Sequence, residues 1–338
     1  MAQDRQKLLE KLRIGKEIWY LTQDEVKAAK LTEPDILELT QAALLAHGRG
    51  DCEMPAKIGV HPFPEVFFHA MPAYVPSRDA VGMKWIECYP NNPAKFDLPQ
   101  TTGLLLLNDV LSGCPIAIMD STWITAQRTP AVTVLAAAAL HPGAESFGMF
   151  GCGVQGRAHV RFAPLALKKL RTIQVFDVVE ERMERLIADL RATCPVPIVR
   201  GRSFEAVAKG CEVLSSATFI VREPSSFVRR DWVGPGQTIL PCDLNTFWDP
   251  AIPLEADKYF VDSRSEHELF ARMGYFPGGL PRIAGETGQV LAGLVKGRES
   301  KDQLIVCSNI GMSVCDVVVG REVLNRALDL GLGLKLPV

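Results

Sequence analysis

The spacing of apolar and polar residues predicts a helix followed by a sheet in the first third of the chain. Residues 32 to 47 have helical spacing, with Thr32 and Asp35 in a capping-box arrangement, Pro34 in the first turn and glycines at the end. Residues 54 to 118 instead contain short apolar runs between Pro, Gly and Asn. These runs predict strands of one sheet, VFFHAMPAY, AVGMKWIECY, TTGLLLLND and CPIAIMD, and LNDVLSGCP predicts the hairpin turn that joins the last two.

After residue 118 the pattern becomes an alternation of helices and strands. A helix is predicted from Thr125 to Leu140, with Pro130 near its start. The strand ESFGMFG, a helix over 154–170, the strand TIQVFD and a helix over 180–190 follow. Further strands are predicted at VPIV, EVLSSAT, QTILP and KYFVD, and a last helix over 314–330. This alternation indicates a parallel sheet covered by helices.

Composition favours a soluble globular protein of two domains. The chain has 338 residues, of which 47% are hydrophobic and 22% charged. Its formal net charge of -2 argues against a nucleic-acid partner or a membrane surface. The N-terminal segment lacks the apolar core of a signal peptide, and no apolar run reaches membrane-spanning length. We therefore expect no membrane association.

The cysteines indicate a reducing compartment. There are nine, an odd number, and no C-x-x-C pair occurs among them. We expect buried, reduced thiols in a cytoplasmic protein. A zinc or other metal site is not expected, because closely spaced Cys and His pairs are absent from the sequence.

The stretch GMFGCGVQGRAHV contains a G-x-G-x-x-G pattern at Gly151, Gly153 and Gly156. A predicted strand precedes it, a predicted helix follows it, and Asp177 ends the next strand 21 residues after Gly156. This context is typical of a dinucleotide site, in which the glycines allow a tight turn, close approach of the pyrophosphate and helix packing. Asp177 would accept hydrogen bonds from ribose hydroxyls and repel a 2'-phosphate, which favours NAD over NADP. The alternative is a structural glycine turn with an incidental aspartate.

Three basic residues before the glycine motif are candidates for substrate binding. Arg128 lies near the predicted start of a helix, where a guanidinium and the helix dipole together make a strong carboxylate site. Lys84 lies within an otherwise apolar strand, which suggests an ammonium group that points into a pocket. The alternatives are a surface arginine paired with an acid, an edge-strand lysine and, for Lys57, simple exposure.

Five segments in order along the chain resemble the ornithine cyclodeaminase and mu-crystallin family. They are MPAY at 71–74, Lys84, ITAQRT at 124–129, GCGVQGRAH at 151–159 and NIGMSVCD at 309–316. The resemblance implies an α/β fold with a central Rossmann NAD-binding domain over 126–313. A split α+β substrate and dimerisation domain would comprise 1–125 and a C-terminal helix over 314–338. It also implies NAD(H) as cofactor and a homodimer.

The resemblance also assigns site residues. Lys57, Lys84 and Arg128 would hold the substrate carboxylate. The cofactor would contact the glycine loop, the end of the next strand and two later loops, at Gly151, Gly153, Val154, Gln155, Gly156, Asp177, Ser216, Ala217, Thr218, Asn309 and Gly311. The family pattern S-x-G-x-A-x-E-D near the nicotinamide is altered here at residues 309–316.

One departure from the family concerns proton transfer. The cyclodeaminase carries an aspartate for this step after the strand that here reads QTILP. An ungapped comparison places Asn245 at that position and Asp243 two residues earlier. Either the base is missing and Asn245 contacts substrate, or a shifted loop lets Asp243 act as the catalytic group.

These observations predict an NAD-dependent oxidoreductase, an amino-acid dehydrogenase or an imine or ketimine reductase. It would transfer hydride at the α-carbon of a small amino or imino acid that carries a carboxylate. One alternative is ornithine cyclodeaminase, which forms proline and ammonia with NAD recycled. Another is a non-catalytic ligand-binding protein like mu-crystallin, against which Lys84 and Arg128 argue. The sequence leaves the substrate side chain open.

Overall fold

The chain forms two compact units. The computed structural model describes residues 2–220, 225–244, 246–276 and 278–338. The first unit comprises the residues up to Arg128 together with Met312–Val338, and the second comprises Thr129–Gly311. The first unit is therefore discontinuous in sequence, and the second is inserted within it.

The helices are as follows: α1 (Ala2–Lys11), α2 (Gln23–Ala28), α3 (Glu33–Arg49), α4 (Asn92–Phe96), α5 (Thr122–Leu140), α6 (Val154–Ala166), α7 (Glu180–Leu190), α8 (Phe204–Gly210), α9 (Ala251–Glu255), α10 (Arg264–Arg272), α11 (Thr287–Leu291) and α12 (Ser313–Leu330). Within the ranges described above, none of them is long and apolar enough to cross a membrane.

The strands are as follows: β1 (Glu17–Leu21), β2 (Ile58–Val60), β3 (Phe67–Val75), β4 (Ala80–Cys88), β5 (Thr101–Asn108), β6 (Pro115–Asp120), β7 (Ser146–Phe150), β8 (Thr172–Phe176), β9 (Ile198–Arg200), β10 (Val213–Ser216), β11 (Thr238–Pro241), β12 (Lys258–Val261), β13 (Ile283–Glu286), β14 (Ile305–Ser308) and β15 (Leu334–Pro337).

The sheet of the first unit has the strand order β15-β1-β6-β5-β4-β3-β2. Strands β2 to β6 form an antiparallel meander; β3 to β6 are the four strands predicted from the short apolar runs, and β2 was not predicted. Helix α12 packs against β3, β4 and β5. Gly320 permits this close approach, because a Cβ there would lie 2.1 Å from Leu105 Cδ2. The helix thereby reaches the middle of the sheet.

The predicted cap of α3 is confirmed. The Thr32 hydroxyl accepts from the backbone N–H of Asp35, the Asp35 carboxylate accepts from the backbone N–H of Thr32, and Gly50 ends the helix in the left-handed region at φ 75°. Gly48 lies inside the helix rather than at its end.

The sheet of the second unit is parallel throughout the described strands, with the order β13-β12-β14-β11-β10-β7-β8-β9. Strand β7 lies between β8 and β10, so the strand order reverses beside it. In open α/β sheets, ligands bind beyond the carboxyl ends of the strands at such a point. The predicted Rossmann-type domain is confirmed, and the glycine motif follows β7 directly.

Two predicted helix bounds are wrong. Helix α5 begins at Thr122 rather than Thr125, because the Asp120 carboxylate accepts from the backbone N–H of Trp123 at 3.1 Å and starts the first turn earlier. Helix α6 ends at Ala166 rather than at residue 170, because the chain turns there, with Leu170 N–H donating to the Leu167 carbonyl.

Candidate active site

Lys84 is fully buried at the centre of the first sheet. Strand β4 is paired on both sides, with Lys84 opposite Met71 of β3 and Leu105 of β5. Its exposed fraction is 0%, and its Nζ lies 2.7 Å from Asp316 Oδ2. The edge-strand interpretation of this lysine is therefore wrong. Its ammonium group is buried against Asp316, and a substrate pocket at this position stays a prediction.

Arg128 is also buried, and it contacts the same carboxylate. Its Nε donates to Asp316 Oδ1 at 2.9 Å, and its exposed fraction is 4%. Its Nη1 is buried and has no hydrogen-bond partner among the described residues. A buried donor without a partner costs about 1–3 kcal/mol, so this edge of the guanidinium is suited to a ligand acceptor.

The placement of Arg128 at a helix N-terminus is wrong. Because α5 begins at Thr122, Arg128 lies in the second turn, beyond the first turn in which dipole effects are felt. Its binding capacity comes instead from burial and from its planar fork of donors.

Asp316 is a site residue that sequence analysis missed. It lies in the first turn of α12, is fully buried, and bridges Lys84 and Arg128. Gly320, one turn later on the same face, packs on Leu105, the cross-strand neighbour of Lys84. The signal was available as a lone carboxylate in the apolar run SVCDVVVG, since buried charges are rarely unpaired.

The environment of this cluster is basic. Burial, and next the Arg128 charge, lower the pKa of Lys84 to about 7, while Asp316 opposes the change. Burial and nearby bases, Lys57 foremost, lower the pKa of His69 to about 3, so its imidazole is neutral near pH 7. Lys57 is itself only 5% exposed, against the expectation of a surface lysine. Basic groups therefore outnumber the Asp316 carboxylate within the cluster, which favours an anionic ligand.

In the second unit the glycine loop has the features of a phosphate cradle. Gly151 has φ 93°, and a Cβ at Gly156 would lie 1.8 Å from the Gly151 carbonyl oxygen. A Cβ at Gly153 would meet nothing within 4 Å. Gly151 and Gly156 are therefore required by backbone conformation and packing, whereas the backbone at Gly153 has open space beside it. Helix α6 begins at Val154 after Gly153, which makes no side-chain cap hydrogen bond, and a helix N-terminus of this kind is suited to an anion.

Asp177 follows β8 and holds the glycine loop. Its Oδ2 accepts from Cys152 N–H at 2.7 Å and its Oδ1 from Val179 N–H at 2.9 Å. A carboxylate has about four acceptor positions, so two of them stay available for ribose hydroxyls. The residues present thus fit a dinucleotide, with the pyrophosphate at the start of α6 and a ribose beside Asp177.

Two further loops lie at the carboxyl ends of neighbouring strands. Ser216 is the last residue of β10, Ala217 and Thr218 follow it, and Asp243 lies just after β11. Asp243 is fully buried and accepts hydrogen bonds from both Ser216 and Thr218. Asn245, the other residue predicted in this loop, lies outside the described residues.

The first half of the altered family pattern, residues 309–312, lies in the loop after β14, and the second half forms the first turn of α12. The Asn309 N–H donates to the Pro241 carbonyl at 2.9 Å, and Gly311 adopts φ 101°. The backbone N–H groups of Ile310 and Gly311 both donate to Asp262 Oδ2, at 2.8 and 2.6 Å. Asp262 is fully buried and was not predicted from the sequence; its position directly after the strand KYFV was the available signal.

Comparisons with known proteins agree with this fold. A nodulation efficiency protein of Rhizobium meliloti is 29% identical over 316 residues, which cover 93% of this chain and 97% of that protein. Alanine dehydrogenase of Archaeoglobus fulgidus is 28% identical over 336 residues, 94% of this chain and 97% of that enzyme. The solved structure of an archaeal alanine dehydrogenase dimer with bound NAD has a TM-score of 0.83 at 27% identity, covering 95% of this chain and 99% of that one.

The family model described as the ornithine cyclodeaminase/mu-crystallin family matches residues 17–331, which is nearly the whole chain. The matched range includes the basic cluster of the first unit and the glycine loop of the second. The chain belongs to the ornithine cyclodeaminase/mu-crystallin family.

Proposed function

We propose that this protein is an NAD-dependent oxidoreductase acting at the α-carbon of a small amino or imino acid. The observation that carries the proposal is the buried cluster of Lys84, Arg128 and Asp316, which offers basic groups and an unpartnered guanidinium edge to a carboxylate. When bound, NAD(H) supplies or accepts the hydride. Similarity to alanine dehydrogenase supports this class of reaction.

The chain's own residues bind and orient the two reactants. Backbone N–H groups at Gly153, Val154 and Gln155 would hold the pyrophosphate, and Asp177 a ribose. Arg128 Nη1 and the Lys84 ammonium would hold the substrate carboxylate, which fixes the position of the adjacent α-carbon. Lys57 adds positive charge to the same cluster.

Lys84 is also suited to proton transfer. Its pKa of about 7 lets it carry and release a proton near neutral pH, where general acids and bases work best. In imine reduction, the Lys84 ammonium would protonate the substrate nitrogen; in amino-acid oxidation, the neutral amine would take that proton back.

Net redox turnover is favoured over cyclodeamination. Ring closure needs a base for the second substrate amine, and Asn245 stands where the cyclodeaminase aspartate is expected in an ungapped comparison. An amide does not accept that proton at neutral pH. Asp243, the nearest carboxylate in sequence, is fully buried with both oxygens already hydrogen-bonded.

The test is a pair of assays on the purified protein. With a cyclic imino acid, or a keto acid plus an amine, we expect NADH to be consumed one for one with substrate. With ornithine and catalytic NAD+, we expect little proline and no stoichiometric ammonia. Rapid conversion of ornithine to proline without net NADH change would establish the cyclodeaminase alternative. Ligand binding without turnover of any substrate would establish the alternative of a non-catalytic, mu-crystallin-like binding protein.

We predict that NAD(H) binds at least about tenfold more tightly than NADP(H). The Asp177 carboxylate would accept hydrogen bonds from the ribose hydroxyls of NAD(H), and hydrogen bonds to a charged group contribute about 1.5–3 kcal/mol. Isothermal calorimetry with both cofactors measures the ratio. Asp177→Ser should narrow the gap by losing the ribose contact and the repulsion of a 2'-phosphate. Asp177→Asn keeps an acceptor for the Cys152 N–H and isolates the charge effect. Equal affinities in the wild type would refute the assignment of Asp177.

We also propose a homodimer formed through the face of the first sheet opposite Lys84. Trp85 and Leu104 are cross-strand neighbours and are 39% and 49% exposed, and Phe68 stacks on Trp85. Exposed apolar patches of this kind mark protein interfaces. Light scattering at micromolar concentration should give the dimer mass for wild type and the monomer mass for Trp85→Asp/Leu104→Arg. A stable, active wild-type monomer would contradict the proposal.

A cytoplasmic location is proposed from the thiols. The nine cysteines are present as thiols rather than in disulfide bonds. Several are buried in apolar surroundings, and burial raises the pKa of Cys307 and Cys211 to about 12, which keeps these thiols protonated and unreactive.

A further inference from the structure

The second unit contains a buried hydrogen-bond network centred on Asp243. Asp243 Oδ1 accepts from the Ser216 hydroxyl at 2.7 Å. Its Oδ2 accepts from the backbone N–H of Thr218 at 3.0 Å and from the Thr218 hydroxyl at 2.6 Å. The carboxylate, which is fully buried, thus receives three donors from the loop that follows β10.

Other contacts fix both sides of this network. The Trp248 indole N–H donates to Ser216 Oγ at 2.7 Å, and the Cys242 N–H donates to the Ser216 carbonyl at 2.9 Å. Leu244, directly after Asp243, is buried and adopts φ 58°, a conformation unfavourable for leucine. Such strain costs about 1–3 kcal/mol and persists only where surrounding contacts impose it. Asp243 and Leu244 are therefore held in a specific backbone conformation, in which the Asp243 carboxylate faces residues 216–218.

The loop at 216–218 in turn contacts the glycine loop. The Ala217 N–H donates to the Phe150 carbonyl at 3.0 Å, and a Cβ at Gly151 would lie 2.7 Å from the Ala217 carbonyl oxygen. Residues 216–218 therefore pack directly on Gly151, the first glycine of the motif, and a shift of these residues would disturb the glycine loop.

We infer that Asp243 is a positioning residue that fixes the loop 216–218 against the glycine loop and so shapes the dinucleotide site. It acts through Ser216 and Thr218, and it exchanges no proton with substrate. This inference rests on the proposed function, because it takes the ligand of the glycine loop to be a dinucleotide. It also explains the carboxylate at residue 243: one oxygen accepts from Ser216 and the other from Thr218, and a side chain with one oxygen would lose one of these two contacts.

The substitution Asp243→Asn tests the inference at nearly constant volume. An amide has one oxygen, so either Ser216 or Thr218 faces an NH2 group instead of an acceptor. We expect the Kd for NADH, followed by its fluorescence, to rise about tenfold, in line with the loss of a hydrogen bond to a charged group. We expect kcat at saturating NADH and the pH dependence of kcat to stay within about threefold of wild type.

A second readout uses the protein without cofactor. Hydrogen exchange measured by mass spectrometry should show faster exchange of the Thr218 amide in Asp243→Asn, because that N–H loses its carboxylate acceptor. The matched control is Glu212→Gln. Glu212 also ties neighbouring chain segments, accepting from the N–H groups of Glu145 and Ser146 at 2.6 and 3.2 Å, but it lies at the amino ends of the strands. It should change neither NADH affinity nor Thr218 exchange.

The outcomes separate the possible roles. A fall in kcat of more than about a hundredfold with loss of a pH limb and unchanged NADH affinity would overturn the inference and make Asp243 an acid or base. Unchanged affinity and exchange would overturn it as well. If Asp243→Asn does not fold, Thr218→Val and Ser216→Ala remove single donors and must each raise the Kd for NADH; normal affinity in both would refute the inference. Absence of NADH binding to wild type would instead refute the proposed function.

Discussion

Arg128→Ala is expected to lower kcat/KM for carboxylate substrates by about two orders of magnitude while the Kd for NADH stays unchanged. The buried Nη1 without a partner is the proposed contact to the substrate carboxylate. A hydrogen bond to a charged group contributes about 1.5–3 kcal/mol, and a loosely held α-carbon slows the chemistry further. Steady-state kinetics and direct NADH titration on the same preparation measure the two effects separately.

Three variants control this experiment. Arg128→Lys keeps the charge but loses the planar fork, so its activity should lie between wild type and Arg128→Ala. Added guanidine should partly rescue Arg128→Ala, which a purely structural defect would not allow. Arg321→Ala removes another buried arginine of the first unit, paired with Asp79 at 2.9 Å, and should leave kcat/KM unchanged. Wild-type kinetics in Arg128→Ala would mean that this arginine pairs with Asp316 but does not bind the substrate carboxylate.

Asp316→Asn is expected to lower the free energy of unfolding by about 3–5 kcal/mol, the cost of leaving buried charges uncompensated. The effect should exceed that of Arg128→Ala. Removing Arg128 leaves Lys84 paired with Asp316, whereas removing the carboxylate charge leaves the Arg128 guanidinium, and at low pH the Lys84 ammonium as well, buried against an amide. Urea denaturation of the apo protein followed by circular dichroism measures the difference.

The same variant has a signature in the pH profile. Asp316 raises the pKa of Lys84 against the effects of burial and Arg128, so its neutralisation should move that pKa below about 7. The Lys84 ammonium is then lost at lower pH, and the alkaline limb of the reductive kcat/KM should shift to lower pH. Asp79→Asn is the control: it removes the carboxylate that pairs with Arg321 of α12 at 2.9 Å, a largely buried pair that does not include Lys84, and it should leave the pH profile in place. If the alkaline limb of kcat/KM stays in place in Asp316→Asn, Lys84 is not the group that protonates the substrate in the rate-determining step.

Local patterns in the sequence were sufficient for most of the second unit. The strands around the glycine motif were predicted because each apolar run is bounded by turn residues, and the order strand, glycine loop, helix, strand, Asp177 carries its own structural context. The four strands β3 to β6 of the first unit were predicted for the same reason. Short or edge elements such as β1, β2 and β15 were missed. Strands β1 and β15 pair with partners far away in sequence, and β2 is only three residues long, so no local pattern marks them.

The charge cluster required the three-dimensional structure. Lys84 and Arg128 were singled out because each is a charge in an apolar context. Their common partner lies 188 residues after Arg128, in a segment that sequence analysis placed beside the nicotinamide by resemblance. Asp243 shows the reverse case: its residue type suggested a base, but only the contacts show that both of its oxygens accept hydrogen bonds from Ser216 and Thr218.

The discontinuity of the first unit has a consequence for biosynthesis. Lys84 and Arg128 leave the ribosome well before α12, and with it Asp316, has been made. At about 5–20 residues per second, the 188 intervening residues delay that helix by roughly 10 to 40 seconds. During this interval the nascent meander has neither its neutralising carboxylate nor the helix that covers β3, β4 and β5. The inserted second unit can fold first, whereas the first unit cannot be completed until α12 has been synthesised.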